Sequence, residues 1–473
     1  MILQRFYDEP LAQASFLIGC AETGEALVVD PNRRVEQYVA MAEQAGLRIT
    51  GVTESHIHAD FVSGARELAA VTGATLHLSD EGGADWRYGY AAAAGAVLLR
   101  EGSIISVGRI RIDVLHTPGH TPEHLSFLVT DTAAADGPVG IVTGDFVFAG
   151  DVGRPDLLEK AVGIANAATA AARVLYRSLQ RFRALPEHLQ VWPGHGAGSA
   201  CGKGLSAMPQ TTVGYELRYN WAFAARDEGE FVAQVLAGQP EPPRYFKEMK
   251  RINREGPAVI GGFRRPARMP ESKLPALLSE GAVVVDLRGA AAFAAGHVPG
   301  TVNIPLNRSF TTWAGWLLPY DQAFYLVADE RDEVAIDLAA RDLTMIGLER
   351  IGGFFGPEVL DAWESREGGL EAAPQATLAD TPAPNGAGTI IDVRNAAEWA
   401  EGHLPGARHI PLGELLDRIA EVPREGPVVL HCQGGGRSAI ALSLLQARGF
   451  GNVRNLGPGL TGWRAAGLPV VRD

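Results

Sequence analysis

A long internal repeat constrains the fold of this chain more than any other feature of its sequence. The segment 283–306 (VVVDLRGAAAFAAGHVPGTVNIPL) recurs 106 residues later as 389–412 (TIIDVRNAAEWAEGHLPGARHIPL). Each copy has a short β-branched strand ending in Asp-x-Arg, an Ala-rich helix, a Gly-His-x-Pro-Gly turn and a second strand. This alternation predicts an α/β unit with a parallel sheet. A repeat of this length indicates two copies of one domain rather than a solenoid.

The rest of the chain divides around this repeat. A length of 473 residues suggests roughly two to four domains. The turn at 254–258 and the Ala-, Pro- and Gly-rich stretch 371–388 predict domains at 1–255, 256–365 and 371–473. In the first of these, hydrophobic patterns predict a layered α/β domain with strands at 26–30, 49–53, 75–78, 110–115 and 140–143 and helices at 35–45 and 64–72.

Composition restricts the class of function. Acidic residues outnumber basic ones 55 to 42, giving a net charge of -13, which disfavours nucleic acid and favours small-molecule partners. The only cysteines are Cys20, Cys201 and Cys432, too few for a disulfide-stapled secreted scaffold. The sequence shows neither a signal-peptide pattern nor an apolar stretch of membrane-span length. We therefore expect a cytoplasmic protein with no membrane partner.

Side chains of metal-ligand type follow four predicted strands of the first domain. They lie in the segments 55–61 (SHIHADF), 117–121 (TPGHT), 143–145 (TGD) and 192–196 (WPGHG). Strand ends that open into loops can direct such side chains to one point. One histidine alone is more often an ordinary surface or core residue, but four such segments together favour a metal site. Two histidines and one carboxylate suit non-haem Fe(II), and three or more N/O ligands around an open position suit catalytic zinc.

These segments, in this order, resemble the metallo-β-lactamase superfamily, which implies an αββα sandwich for the first domain. One position departs from the pattern, because Phe61 stands where the two-metal hydrolases of the superfamily have a histidine. The motifs at 56–60, 118–122, 143–145 and 153–156 resemble those of persulfide dioxygenases within the superfamily. That resemblance implies one Fe(II) per chain, with zinc possible in purified samples, and the ligands His56, His120 and Asp145.

The same resemblance assigns the positioning of ligands or bound water to His58, Asp60 and His195. It implies that Arg154 faces the anionic end of the substrate, whereas Asp156 is equally well interpreted as a structural turn residue. Cys201 lies six residues after His195 and is either a small buried filler or a sulfur acceptor. The second interpretation follows from its segment, which resembles that of fused persulfide dioxygenase-sulfurtransferases, where a cysteine at this motif is close to the iron. Cys20 is interpreted as a core residue.

A glycine-rich loop carries the third cysteine. Cys432 ends a predicted strand at 427–432 and precedes a predicted helix at 439–448. Successive glycines let backbone N–H groups point inward, and the helix N-terminus and Arg437 add positive charge. We expect this loop to stabilise a thiolate that accepts a sulfane sulfur. The predicted catalytic residues are Cys432 and Arg437, and the predicted substrate-binding residues of the loop are Gln433, Gly434, Gly435, Gly436 and Ser438.

The last domain resembles rhodanese over nearly all of residues 371–473, in the Cys-x-x-Gly-x-Arg-Ser loop, in Asp-Val-Arg at 392–394 and in the closing segment 457–463. Related phosphatases have one residue more between Cys and Arg, so the spacing favours sulfur over phosphate. In the middle copy Ala328 aligns with Cys432 and Glu333 with Arg437. This copy therefore resembles an inactive rhodanese domain that serves as a spacer, a docking surface or a dimerisation element.

The order of the three domains resembles bacterial fused persulfide dioxygenase-sulfurtransferases. The resemblance implies oxidation by O2 of a small persulfide, of glutathione or coenzyme A type, to sulfite and thiol in sulfide detoxification. Sulfane sulfur would pass through Cys432, with sulfite or thiosulfate as partner. One alternative is a glyoxalase II-like thioester hydrolase with two metals and no oxygen uptake. Another is a sulfur-sensing pair of rhodanese modules on a metal-bearing scaffold without turnover. We also expect a homo-oligomer.

Overall fold

The fold is described by a computed structural model for residues 1–157, 167–239, 241–328, 333–382, 386 and 388–472. The chain forms two compact units, residues 1–263 with 344–347 and residues 264–343 with 348–473. The boundaries predicted at 255, 365 and 371 stay predictions. Most of the middle-copy loop that was compared with the Cys432 loop, residues 329–332, lies outside the described residues.

Two six-stranded sheets form the centre of the first unit. The first sheet has its strands in sequence order, and the second has the order β12-β11-β10-β9-β8-β7. The strands of the first sheet are β1 (Ile2–Asp8), β2 (Gln13–Cys20), β3 (Glu25–Val29), β4 (Arg48–Thr53), β5 (Thr75–Ser79) and β6 (Val97–Leu99). Those of the second are β7 (Ile104–Val107), β8 (Ile110–His116), β9 (Leu125–Asp131), β10 (Gly140–Gly144), β11 (Gln190–Pro193) and β12 (Thr211–Thr212).

Helices cover the outer faces of both sheets. The helices of this unit are α1 (Val35–Gln44), α2 (Ala65–Thr72), α3 (Ala167–Arg183), α4 (Val213–Tyr219), α5 (Trp221–Ala224), α6 (Glu228–Leu236) and α7 (Tyr245–Glu255). Alternation along β2 sends Leu17 to the core under α1 and α2, and Phe16 and Ile18 to the core between the sheets. A third core joins the second sheet to α3. The αββα arrangement implied by the resemblance is confirmed.

Two fully parallel sheets form the second unit. Their strands are β13 (Val283–Asp286), β14 (Val302–Asn303), β15 (Phe324–Val327) and β16 (Ile351–Phe355), then β17 (Gln375–Ala376), β18 (Thr389–Asp392), β19 (Ala407–His409), β20 (Val428–His431) and β21 (Val453–Leu456). The order β14-β13-β15-β16 matches β19-β18-β20-β21, with β17 added beside β21. The duplicated parallel α/β unit predicted from the repeat is confirmed.

The second unit has helices before, between and after these parallel strands. They are α8 (Leu274–Ser279), α9 (Ala290–Ala295), α10 (Phe310–Leu317), α11 (Val334–Met345), α12 (Glu358–Arg366), α13 (Ala396–Ala400), α14 (Gly436–Gln446) and α15 (Gly459–Ala465). The two copies contact each other within this unit, where the backbone N–H of Asn303 donates to the hydroxyl of Ser443 at 3.0 Å. Among the described residues, no helix has the length and apolar character needed to cross a bilayer.

The repeated Asp-x-Arg motif has a structural explanation. In the last copy Arg394 donates two hydrogen bonds to the Asp392 carboxylate, at 2.9 Å and 2.6 Å, and one to the carbonyl of Gly402 at 2.9 Å. In the middle copy Arg288 makes the same contacts with Asp286 and the carbonyl of the equivalent glycine. The arginine therefore joins the end of one strand to the Gly-His turn, and we name this arrangement the Asp-Arg clasp.

Candidate metal centre and sulfur-transfer loop

Three side chains from three strand ends converge in the first unit. His56 follows β4, His120 follows β8 and Asp145 follows β10, and one ligand atom of each lies within 4.8 Å of those of the other two. The Asp145 Oδ2 atom is 4.0 Å from His56 Nε2 and 3.5 Å from His120 Nε2. All three side chains are buried. The structure thus brings the predicted ligand set together at one point.

Glycine 144 lets β10 approach this point closely. Its φ is +48°, and a Cβ atom there would lie 2.5 Å from the Ser55 hydroxyl oxygen. A larger residue would therefore be strained and would also clash with the loop that carries His56. The glycine of the Thr-Gly-Asp motif therefore allows the strand end to place Asp145 beside the histidines.

The protonation of both histidines suits metal binding. His120 donates its Nδ1–H to the carbonyl oxygen of Arg154 at 3.1 Å, which leaves the lone pair on Nε2, the atom that faces Asp145. His56 Nδ1 is 2.9 Å from the Ser55 hydroxyl. Burial lowers the pKa of both histidines, and for His56 the neighbouring histidines lower it further. Neutral imidazoles held through their second nitrogen are the usual form of a histidine ligand.

The Asp145 carboxylate needs a cationic neighbour. Burial opposes its ionisation, but the surrounding histidines, His195 first, outweigh this effect and lower its pKa. Neither carboxylate oxygen accepts a well-formed hydrogen bond from the described residues. A buried anion without hydrogen bonds is costly unless a cation compensates it. The two neutral histidines and this carboxylate therefore fit a divalent metal ion, and the donor set of two nitrogens and one oxygen suits Fe(II).

A second group lies on the other side of Asp145. It consists of Asp60, His195 and Cys201, whose ligand-type atoms lie within 4.8 Å of one another. His195 Nε2 is 3.2 Å from Asp60 Oδ2 and 3.4 Å from Asp145 Oδ1. Burial opposes protonation of His195, but these two carboxylates raise its pKa. Burial and the same carboxylates raise the pKa of the Cys201 thiol well above its usual value. Cys201 is thus placed beside the candidate metal centre.

His58 belongs to a third group, together with Asp30 and Glu54. Its Nε2 atom is 3.2 Å from both Asp30 Oδ1 and Glu54 Oε2. Burial opposes its protonation, but these carboxylates raise its pKa well above the usual value. The ring of Phe61, fully buried, lies 4.4 Å from the His58 ring. Phe61 therefore packs against His58, and its side chain cannot ligate a metal.

Arg154 lies in a buried environment with three oxygen acceptors. Its side chain is fully buried, and it donates to both oxygens of Asp156, at 2.8 Å and 2.7 Å. It also donates to the carbonyl of Ala200 at 2.9 Å, the residue before Cys201. The guanidinium therefore holds the Cys201 loop, and direct binding of an anionic substrate by Arg154 stays a prediction. Asp156 serves as its partner.

Sequence reasoning missed two buried residues beside the ligands. His124 Nε2 accepts the backbone N–H of Asp145 at 3.1 Å. Glu123 accepts the backbone N–H of Ile57 at 2.8 Å, and burial raises the pKa of Glu123 to about 7. Both residues lie shortly after His120 and directly before β9. Two ionisable residues at the start of a buried strand are a sequence signal that could have indicated their place beside the site.

The Cys432 loop has the form expected for an anion site. Cys432 directly follows β20, and α14 begins at Gly436. The sulfur accepts the backbone N–H of Gly435 at 3.1 Å and lies 3.5 Å from the Ser438 hydroxyl. Gly435 has φ +87°, and a Cβ atom there would lie 2.2 Å from the carbonyl oxygen of Gly457. The loop conformation therefore requires glycine at this position.

The remaining predicted loop residues surround the thiol. Gln433 donates from its side chain to the hydroxyl of Thr461 at 2.9 Å, and Gly434 and Gly436 line the cavity above Cys432. Arg437 is paired with Glu398 through two hydrogen bonds of 2.5 Å and 2.6 Å. This pair neutralises much of the guanidinium charge, a feature that the sequence did not predict.

The middle copy lacks these groups. Ala328, at the position of Cys432, is buried directly after β15. Glu333, at the position of Arg437, is paired instead with Arg265 at 2.6 Å. By the repeat offset, Ala292 stands where the last copy has Glu398. This copy has therefore lost the thiol and both partners of the adjacent ion pair.

Comparison with known proteins agrees with this architecture. Residues 8–195 match the family model of the metallo-beta-lactamase superfamily, and residues 376–466 match that of the rhodanese-like domain. The crystal structure of a metallo-beta-lactamase from Staphylococcus aureus is 39% identical, with a TM-score of 0.68, and covers 75% of this chain and 99% of its own.

Two curated relatives each match part of this chain. A hydroxyacylglutathione hydrolase of Rhodospirillum rubrum is 29% identical over 246 residues, which are 50% of this chain and 80% of the relative. The mitochondrial persulfide dioxygenase ETHE1 of Bos taurus is 26% identical over 200 residues, 41% of this chain and 68% of the relative.

The chain belongs to the metallo-beta-lactamase superfamily. It is a fused member, in which a rhodanese-like domain follows at the C-terminus.

Proposed function

We propose that this protein oxidises a low-molecular-weight thiol persulfide with O2 and couples this reaction to sulfane-sulfur transfer through Cys432. The observation that carries the proposal is the buried set of His56, His120 and Asp145, present in one chain with an intact Cys432 loop. The set has the donors that non-haem Fe(II) oxygenases use. The similarity to a persulfide dioxygenase supports the same assignment.

The proposed reaction balances with water as co-reactant. A persulfide RSSH, O2 and water give the thiol RSH, sulfite and two protons. The sulfane sulfur is oxidised and O2 is reduced. One Fe(II) bound by His56, His120 and Asp145 would supply open coordination positions for the persulfide sulfur and for O2. Burial of all three side chains keeps bulk water from these ligands, and the Ser55 and Arg154 contacts fix the orientation of the two imidazoles.

Oxygen uptake by iron-loaded protein tests this proposal. With glutathione persulfide or coenzyme A persulfide we expect uptake, sulfite as product and about one iron per chain. His120→Ala should abolish both uptake and iron binding. His116→Ala is the matched control, because this histidine ends the same strand and contacts the carbonyl of Pro122 instead. No uptake by iron-loaded protein would refute the proposal.

A second candidate function is thioester hydrolysis. It is favoured by the position of Asp145, whose Oδ1 atom faces His195 while Oδ2 faces the other two histidines. Asp60 and His195 could thus hold a second ion, as in a two-metal hydrolase, and the similarity to a hydroxyacylglutathione hydrolase supports this. Two zinc ions per chain with cleavage of an acyl-glutathione and no oxygen uptake would establish it. Phe61 argues against a complete second site.

The cellular setting is part of the proposal. We place the enzyme in sulfide detoxification in the cytoplasm, with persulfide, O2 and sulfite or thiosulfate as small-molecule partners and a homo-oligomeric state. Size-exclusion chromatography with light scattering tests the last point, and a monomer at micromolar concentration would refute it.

A further inference from the structure

A cavity inside the second unit connects the two repeats. It has a volume of about 930 Å³ and reaches Cys432 and Arg437 in the last copy. Its opposite wall consists of side chains of the middle copy, among them Leu306, Thr312 and Trp313. Inorganic sulfur anions of a few atoms do not need this volume, which lies in the range of cavities that bind organic ligands.

The cavity wall uses the part of the middle copy that corresponds to a rhodanese active site. Gly289 and Ala290 line it, directly after the Asp-Arg clasp. By the repeat offset they correspond to Asn395 and Ala396, which begin the helix that carries Glu398, the partner of Arg437. The first residues of α11 also line the cavity, and in the alignment they correspond to the start of α14. The copy that lost its thiol thus turns its former active-site face toward the remaining thiol.

Apolar side chains are left exposed on this wall. Val334 is 62% exposed and Leu338 is 37% exposed, although both line the cavity. They lie one helical turn apart on α11 and therefore share one face. Trp313 is partly exposed on the neighbouring α10. Apolar groups that point together into a cavity instead of a core indicate a ligand that covers them.

The charges around the thiol favour an uncharged neighbouring group. Arg437 is the only charged residue among the described cavity-lining residues, and Glu398 already binds its guanidinium through two hydrogen bonds. Asn307, Ser309 and Thr312 add neutral polar groups. Outside the backbone N–H groups of the Cys432 loop, an inorganic dianion would find little uncompensated positive charge among the lining side chains, whereas an amide-containing organic arm would find both apolar and hydrogen-bonding partners.

We infer that the middle copy is the carrier-binding half of the sulfur-transfer site. Its wall holds the uncharged organic arm of a small-molecule persulfide, with the terminal sulfur at Cys432, and Trp313 and Leu338 determine specificity for this arm. The inference rests on the sulfur-transfer part of the proposed function and does not depend on the oxidation step.

The transfer itself balances without a further oxidant. The Cys432 thiolate attacks the terminal sulfur of RSSH, a new S–S bond forms, and the original S–S bond breaks with its electron pair leaving on RS⁻. Sulfite then attacks the outer sulfur of the Cys432 persulfide. Thiosulfate leaves with that sulfur, and the electron pair of the broken bond restores the Cys432 thiolate.

The test measures two transfer reactions on the full-length protein. Pantetheine persulfide with sulfite is the organic donor reaction, and thiosulfate with cyanide is the inorganic one. For Trp313→Ala and Leu338→Ser, we expect the ratio of kcat/KM for pantetheine persulfide to kcat/KM for thiosulfate to fall about tenfold, the usual effect of a lost apolar contact. Val471→Ser is the matched control, because this side chain is 39% exposed and does not line the cavity.

Each outcome distinguishes the inference from the oxidation chemistry. An unchanged ratio in both variants, or a lack of Cys432 persulfide by mass spectrometry after pantetheine persulfide treatment, would overturn it even if oxygen uptake is intact. A selective fall of the ratio in a protein without oxygen uptake would support it while refuting the dioxygenase. Circular dichroism of both variants shows whether the fold is retained, and the ratio is independent of the fraction of active protein.

Discussion

The Gly435→Ala substitution should damage the Cys432 loop in a way that can be worked out from its geometry. The added Cβ atom would lie 2.2 Å from the Gly457 carbonyl oxygen, at a backbone φ of +87°. The left-handed conformation costs a non-glycine residue about 1–2 kcal/mol, and relief of the overlap costs about 1–3 kcal/mol more. The sum is about 2–5 kcal/mol. For a domain of about 100 residues, the size predicted for the last domain, this lowers the melting temperature by about 8 °C or more.

The same substitution should also slow sulfur transfer. If the loop shifts to relieve the overlap, the Gly435 N–H no longer donates to the Cys432 sulfur at 3.1 Å. Loss of a hydrogen bond to a charged group costs about 1.5–3 kcal/mol, so we expect thiosulfate formation to fall about tenfold or more.

Differential scanning calorimetry and a thiosulfate assay on the same sample measure both effects. Gly434→Ala is the control for stability, because a Cβ atom at Gly434 would have no neighbour within 4 Å. The reasoning would be refuted if Gly435→Ala melted at the same temperature as Gly434→Ala.

Three further substitutions test other parts of the chain. Glu123→Gln should remove a pH dependence of the folding stability. In the folded protein burial raises the pKa of Glu123 from 4.5 to about 7, so the stability that this group contributes is lost as the pH rises through this range. In urea unfolding, wild-type stability should therefore fall by about 3 kcal/mol more than that of the variant between pH 4.5 and 7. Asp156→Ala removes the bidentate partner of buried Arg154 and should destabilise the first unit by about 3–5 kcal/mol. Cys432→Ser should abolish thiosulfate formation and leave oxygen uptake by the first unit intact.

Each of these outcomes has a contrary result. Parallel stability curves for wild type and Glu123→Gln would show that the carboxyl does not titrate in this range. As the control for Asp156→Ala, Glu230→Ala removes the partner of exposed Arg226 and should leave the melting temperature nearly unchanged. An equal loss of stability in Asp156→Ala and Glu230→Ala would contradict the argument from burial. Loss of oxygen uptake in Cys432→Ser would show that oxidation depends on the transfer loop.

The sequence predicted those elements whose signal is local. Hydrophobic patterns placed β3, β4, β5, β8 and β10 within one residue of their observed bounds at every end, since a buried strand with a polar strand end has a clear pattern. The strand-end motifs also predicted that His56, His120 and Asp145 would meet, because each loop leaves its sheet at the same side of the sandwich. Repetition of a whole segment predicted the duplicated sheet.

Contacts between distant segments could not be predicted in this way. The contact of His58 with Asp30, 28 residues earlier in the chain, depends on how two strand ends approach each other in three dimensions. The pairing of Arg437 with Glu398 joins residues 39 positions apart, and no pattern in either segment specifies it. The burial of Arg154 is a similar case, because the Ala200 carbonyl that it contacts lies 46 residues away along the chain.

The Asp-Arg clasp separates the framework of each repeat from its chemistry. In both copies it joins the first strand to the Gly-His turn by contacts that involve no residue of the catalytic loop. A loop can therefore lose its nucleophile while the scaffold that carried it stays folded. After duplication of such a unit, one copy can lose its activity, stay folded and acquire a new role beside the active site of the other copy.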